Sequence, residues 1–151
     1  MSKLFKSYVS LKVKDCSKFY LFKSGIFYIF LDDDARTMAP LLNLKLGNLT
    51  STVVKCGFPI NSLDKYLERL RGTEYCIHIV CDEDFDYSVD ATDFVNNKAL
   101  QNILDGFLST DVNELSISQA FDLLIDLQKK LNKIKSEVSN EKKRLSIWKY
   151  L

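Results

Sequence analysis

Apolar residues first recur at helical spacing. Leu4, Phe5, Tyr8 and Leu11 share one face of residues 4–14 and predict a helix there. The period then changes. Residues 19–31 are rich in aromatic and branched side chains and predict a strand, interrupted at Gly25 by a bulge or by close approach of another backbone. Residues 36–42 predict a short helix, with Pro40 in its first turn or bending it. Residues 44–46 and 51–55 predict two strands around a Gly47-Asn48 turn, and Gly57-Phe58-Pro59 predicts a loop. Ser62 is expected to cap a helix reaching Leu70, with Leu63, Tyr66, Leu67 and Leu70 on one face and Gly72 as its stop. Residues 75–81 predict a buried strand.

The pattern shifts beyond this point. Residues 82–93 predict an acidic connection. Residues 99–108 predict a short amphipathic helix through Leu100, Ile103, Leu104 and Phe107, and Asp111 or Ser116 opens a last one. There Ala120, Leu124, Leu127, Leu131, Ile134, Val138, Leu145 and Trp148 follow alternating steps of four and three, with Glu141 the polar break. That is a heptad seam, about 45 Å long if fully helical. Leu124, Leu127, Leu131, Ile134 and Val138 then meet either a second copy of the chain, giving a homodimer, or their own domain, with the helix at 99–108 covering part of the seam. The organisation expected is an α/β domain at 1–90 with a mixed sheet and flanking helices, and a helical extension at 91–151.

Composition narrows the function. At 151 residues the chain is one domain, or one domain plus an extension, and 46% hydrophobic residues with ten Phe supply a core. A formal net charge of +1 gives no strong global field, but the charge is unevenly placed. Lys3, Lys6, Lys12, Lys14, Lys18 and Lys23 stand against Asp15 alone in the first thirty residues, and Lys and Arg dominate again from Lys129. Asp82, Glu83, Asp84, Asp86, Asp90 and Asp93 make the middle acidic. Two basic ends suit nucleic-acid phosphate, and equally suit a solvated surface.

Little catalytic chemistry is visible. Cys16, Cys56, Cys76 and Cys81 form no CxxC pair, and with His78 the single histidine no zinc site is expected. His78 alternates with Ile77 and Ile79, which suits a structural residue. There is no GxxxxGK[ST], no HExxH and no nucleophile with a histidine at a suggestive spacing, so neither an ATPase nor another enzyme, and no cofactor or small-molecule substrate, is expected. Asp32-Asp33-Asp34 lacks the spaced oxygen ligands of a cation loop and suits a helix N-terminus instead. No signal peptide and no membrane-spanning apolar run are read, which with free thiols predicts a cytoplasmic protein.

Several motifs in order resemble the N-terminal, mismatch-reading domain of the MutS DNA repair proteins. Tyr8-Val9-Ser10-Leu11-Lys12 is similar to its Tyr-Leu-x-Leu-Lys helix, and Gly25-Ile26-Phe27-Tyr28-Ile29 to its Gly-Asp-Phe-Tyr-Glu. Asp33 and Ala35 resemble its Asp-Asp-Ala, Leu41-Leu42-Asn43-Leu44 its Leu-Leu-Asp-Ile, and Cys56-Gly57-Phe58-Pro59 its Ala-Gly-Ile-Pro, followed by a similar helix at 63–70. The likeness covers roughly residues 5–90. It implies that Phe27 corresponds to the ring that wedges into DNA. Ile29 stands where the family has the glutamate that bonds the displaced base, and Ile26 replaces another acid.

Two functions follow. The first is non-catalytic nucleic-acid binding, of DNA or RNA, through Phe27 with Lys12, Lys14, Lys18 and Lys23, and with weakened mismatch discrimination. A wedge ring senses a mismatch because a mismatched step is cheaper to open, at a few kcal/mol. The second is an assembly module that keeps the fold, has lost the DNA site and oligomerises through its last helix. Tyr20, Phe22, Tyr28 and Phe30 suit base stacking or, better, a two-sided core strand.

Overall fold

The computed structural model describes residues 2–80 and 88–148, with side chains described to residue 139. The chain divides into two compact units between Phe94 and Val95. The first opens with α1 (Lys3–Lys14), where the Ser2 hydroxyl accepts from the Phe5 N–H at 3.2 Å and so satisfies one of the free amides of the first turn. The helix buries Tyr8 and Leu11.

Residues 19–31 form two strands, not one. β1 (Lys18–Ser24) and β2 (Phe27–Leu31) are an antiparallel hairpin, with Ser24 opposite Phe27. Gly25 has φ of 60° and supplies the turn itself, not a bulge; a glycine of positive φ at the first of two turn positions matches the twist of the flanking strands. α2 (Asp32–Leu42) starts four residues before the predicted position. Asp32, Asp33 and Asp34 fill its first turn, where carboxylates complement the helix N-terminus. Leu31 occupies the cap position and makes no side-chain cap bond, while Arg36 bridges Asp32 at 2.9 Å and Asp33 at 3.1 Å. Pro40 lies near the C-terminal end of α2, not in its first turn.

Gly47-Asn48 is not the turn but a short strand, β3 (Gly47–Asn48), paired with β4 (Val54–Pro59). The reversal lies at residues 49–53, because Thr50 offers its hydroxyl to the N–H groups of Thr52 at 3.3 Å and Val53 at 3.1 Å. Gly57, Phe58 and Pro59 are likewise strand and not loop. Gly57 lets β4 approach β2, since a Cβ there would collide with the Tyr28 carbonyl oxygen. A single 3-10 turn at Ile60–Ser62 leads into α3 (Leu63–Leu70); Ser62 stands at the cap position without a side-chain cap bond. β5 (Cys76–Val80) runs parallel to β1, and β6 (Ser88–Asp90) runs antiparallel to β5.

The result is a mixed six-stranded sheet of order β3-β4-β2-β1-β5-β6 with helices packed on it. One face carries Tyr20, Phe22, Ile29, Leu31 and Val80, which bury against Tyr8 and Leu11 of α1. Phe30, Cys56 and Phe58 point the other way. The Cys56 thiol reaches the Ala35 carbonyl at 3.6 Å, Phe58 stacks on Tyr66 at 4.3 Å, and Arg69 donates to the Leu42 carbonyl at 3.1 Å.

α4 (Ala91–Leu108) begins well before residue 99, because the Asp90 carboxylate accepts from the N–H groups of Thr92 at 2.9 Å and Asp93 at 3.3 Å. In the second unit, α5 (Ile117–Trp148) starts behind a reciprocal cap. Ser116 Oγ accepts from the Gln119 N–H at 3.2 Å, and Gln119 Oε1 accepts from the Ser116 N–H at 2.9 Å. Among the described residues no helix is long and apolar enough to cross a membrane.

Candidate nucleic-acid interface

The hairpin turn puts apolar side chains into water. Ile26 is 69% exposed and Phe27 43% exposed at the end of the β1–β2 pair. The turn is braced, since the Ile60 N–H donates to the Ile26 carbonyl at 2.9 Å and Phe27 pairs with Pro59 across β4. Strand alternation puts Ile29 on the same face as Phe27. Ile29 is only 5% exposed and belongs to the cluster under α1. Phe27 is therefore solvent-accessible, and its neighbour two residues on is core. Tyr20, Phe22, Tyr28 and Phe30 are all buried.

The four lysines are not gathered around Phe27. Lys23 is exposed and pairs with Tyr28 next to the turn. Lys18 lies at the opposite end of β1, roughly 20 Å away at the rise of a strand. It pairs with Asp15 at 3.2 Å. Asp15 is held down at about 2 by its hydrogen bonds from Ser17 and then by Lys18. Lys14 is exposed at the end of α1.

Lys12 serves the fold. Its ammonium donates to the carbonyls of Lys18 at 2.8 Å and Cys16 at 3.2 Å and to the Asp34 carboxylate at 2.9 Å. Asp34 is buried, and its other oxygen accepts from the Tyr20 N–H at 3.0 Å. Tyr8 offers its hydroxyl oxygen to the Asp34 N–H at 3.4 Å. Burial pushes the Asp34 carboxyl up, and the hydrogen bond from Lys12 pulls against it without overcoming it. The network ties α1, β1 and α2 together. Its signal in the sequence is a lysine on the last turn of a helix and a buried-side aspartate after a strand, a pair 22 residues apart that spacing alone does not link.

A second cluster lies elsewhere on the sheet. Cys76 and His78 alternate onto one face of β5, and His78 is paired with Asp90 on β6. Ligand atoms of Cys76, His78 and Asp90 all fall within 4.8 Å of one another. The Cys76 thiol meets the Asp90 carboxylate at 3.9 Å, and His78 Nδ1 meets Ser88 Oγ at 3.2 Å. Burial, reinforced by Asp90, pushes the Cys76 thiol up, and burial keeps His78 below its ordinary value.

On the last helix, none of the five stripe residues is buried. Leu124 is 61% and Leu131 46% exposed, and Leu127, Ile134 and Val138 are half-buried.

Comparison with known proteins gives a consistent picture. The profile of MutS domain I matches residues 2–104 of the chain. The DNA mismatch repair protein MutS of Chlorobium chlorochromatii (strain CaD3) is 30% identical over 82 residues, which cover 54% of this chain and 9% of that protein. The DNA mismatch repair protein MutS of Desulfosudis oleivorans (strain DSM 6200 / JCM 39069 / Hxd3) is 31% identical over 71 residues, 44% of this chain and 8% of that protein. The chain thus spans less than a tenth of the length of these relatives.

Proposed function

This chain belongs to the MutS domain I family, and on that footing we propose that it is a non-catalytic nucleic-acid-binding protein, acting on DNA, in which mismatch discrimination is weakened. The observation that carries the reading is the contrast between Phe27 and Ile29. Phe27 is an accessible ring at a braced turn, as stacking or wedging requires. Ile29 has no acceptor to offer a displaced base and is committed to the core. Lys23 is the lysine nearest the turn, although its pairing with Tyr28 sets it on the opposite face of the strand pair from Phe27, and Lys18, at the far end of β1, would meet a phosphate several nucleotides away.

Fluorescence anisotropy with matched, mismatched and single-stranded DNA across a salt series tests this. Binding should be weak and fall with salt, because few phosphates are neutralised. Phe27→Ala should cost about 1–3 kcal/mol, the worth of one stacked base. Matched and mismatched duplexes should differ by less than the roughly 1–3 kcal/mol of a good base contact. Absence of binding at low salt, or an unaltered affinity in folded Phe27→Ala protein, would defeat the reading.

A second reading rests on the apolar stripe of α5, of which Leu124 and Leu131 are exposed and the other three half-buried. Leu124, Leu127, Leu131, Ile134 and Val138 keep heptad spacing, and Lys129, Lys130, Lys133 and Lys135 lie off it. In this reading a second copy of the chain covers the stripe, and the protein acts as an assembly module through a homodimer.

A further inference from the structure

The cluster on β5 and β6 takes no part in the nucleic-acid reading. We propose that Cys76, His78 and Asp90 form a binding site for a divalent transition-metal ion of the zinc class, with three protein ligands and one open position. Three features of the fold carry it.

The first is donor chemistry. A thiolate, an imidazole and a carboxylate are the sulfur, nitrogen and oxygen ligands that zinc accepts, and three such ligands with an exchangeable fourth are a recurring set. Thiolate and carboxylate together carry two negative charges against the two positive charges of the ion. Binding replaces the proton of the Cys76 thiol by the sulfur–metal bond and releases that proton to solvent, with no electron transferred.

The second is geometry. Tetrahedral bonds of about 2.3 Å to sulfur and about 2.1 Å to oxygen place those two ligand atoms about 3.6 Å apart. Cys76 Sγ and Asp90 Oδ2 are 3.9 Å apart, and all three ligand atoms lie within 4.8 Å of one another. Small side-chain movements therefore close the site. Residues alternating on one strand, with a third held opposite by the ladder, form a rigid frame for it.

The third is support. Ser88 Oγ at 3.2 Å from His78 Nδ1 orients the ring, as outer contacts do around metal-binding histidines. Asp90 Oδ1 holds the first amides of α4, which fixes the carboxylate while Oδ2 faces Cys76. Lys18 stands opposite Cys76 on β1, but its ammonium is paired with Asp15 at 3.2 Å. The ion would tie β6 and the start of α4 to β5.

Metal-free full-length protein titrated with Co2+ under reducing conditions gives a direct readout. The expected result is a single equivalent bound, with a near-ultraviolet sulfur-to-cobalt charge-transfer band and visible bands of four-coordinate intensity, both displaced by Zn2+. Cys76→Ser should remove the charge-transfer band, and His78→Gln and Asp90→Asn should each weaken Zn2+ binding at least tenfold by calorimetry. Asparagine retains the capping oxygen at residue 90, so that variant tests the ligand without removing the cap. Cys16→Ser should bind as the parent protein does. Lack of a sulfur-to-cobalt band in the unmutated protein overturns the proposal without reliance on any variant. So does Zn2+ binding that survives unchanged in folded Cys76→Ser and His78→Gln proteins.

Discussion

Ile29 and Gly57 face each other across β2 and β4 so closely that a Cβ on Gly57 would stand 2.8 Å from Ile29 Cγ2. The branched side chain of Ile29 thus fills the space above a bare backbone. Gly57→Ala should force the two strands apart and destabilise the domain by about 1–3 kcal/mol, the usual cost of overpacking a core. Gly106, inside α4 with nothing within 4 Å of its would-be Cβ, is the control. Gly106→Ala should leave stability unchanged or raise it by up to about 1 kcal/mol. Urea unfolding of both variants checks the contrast.

Lys12→Met should destabilise by about 3 kcal/mol at pH 7, because it leaves the buried Asp34 carboxylate without its cation. Lys14→Ala, at an exposed position, should stay within about 0.5 kcal/mol of the parent. The pH dependence has a definite sign. Burial already raises the Asp34 pKa in the folded state, so its contribution to stability is full below the unfolded value and is lost as pH rises through the folded one. Losing Lys12 raises that folded value further. The Lys12→Met deficit should therefore be greatest at neutral pH and shrink as the pH is lowered toward 4. Denaturant midpoints at a series of pH values measure it, and a deficit that grows on acidification would contradict the role given to the pair.

The three described thiols should separate by accessibility. Cys16 is exposed and should react first with an alkylating reagent at pH 8. Cys76 is half-buried and should follow. Cys56 is buried, with burial pushing its thiol up to about 12, so almost no thiolate exists at pH 8. It should remain unmodified until the protein unfolds. Peptide mapping by mass spectrometry at timed intervals reports the order.

Light scattering decides the α5 reading. The chain should elute at twice its mass at high micromolar concentration, and Leu131→Asp should shift it to the monomer by placing a charge in the seam. A monomer at that concentration, unaltered by the substitution, leaves the helix without a second copy.

α1, α3 and β5 were legible because their signals are local, whereas α2 and α4 begin earlier than their periodicity predicts because carboxylates at their starts extend them. Periodicity locates these three elements, and ordered motifs alone link them to one family. The hairpin was half legible: its aromatic run was clear, but Gly25 inside a strand has the same appearance as a bulge, and only pairing distinguishes the two. Gly47-Asn48 misled because the Thr50 hydroxyl supplies a competing reversal nearby. Gly57-Phe58-Pro59 misled because the need for a missing Cβ comes from Tyr28 and Ile29 on another strand. Separation in sequence likewise concealed the partnership of Lys12 with Asp34 and of Cys76 and His78 with Asp90. Lysine counts locate basic segments, but they do not say which ammonium already holds two carbonyls and a carboxylate.

The ends of the sheet order have a consequence for solubility. Among the described residues the inner strands run five to seven residues, whereas the rims are β3 with two residues and β6 with three. An open strand rim is a template on which a foreign strand can add, and a rim as short as β3 offers too few backbone groups to hold one. Ribbon-like growth from the β3 rim is thereby disfavoured.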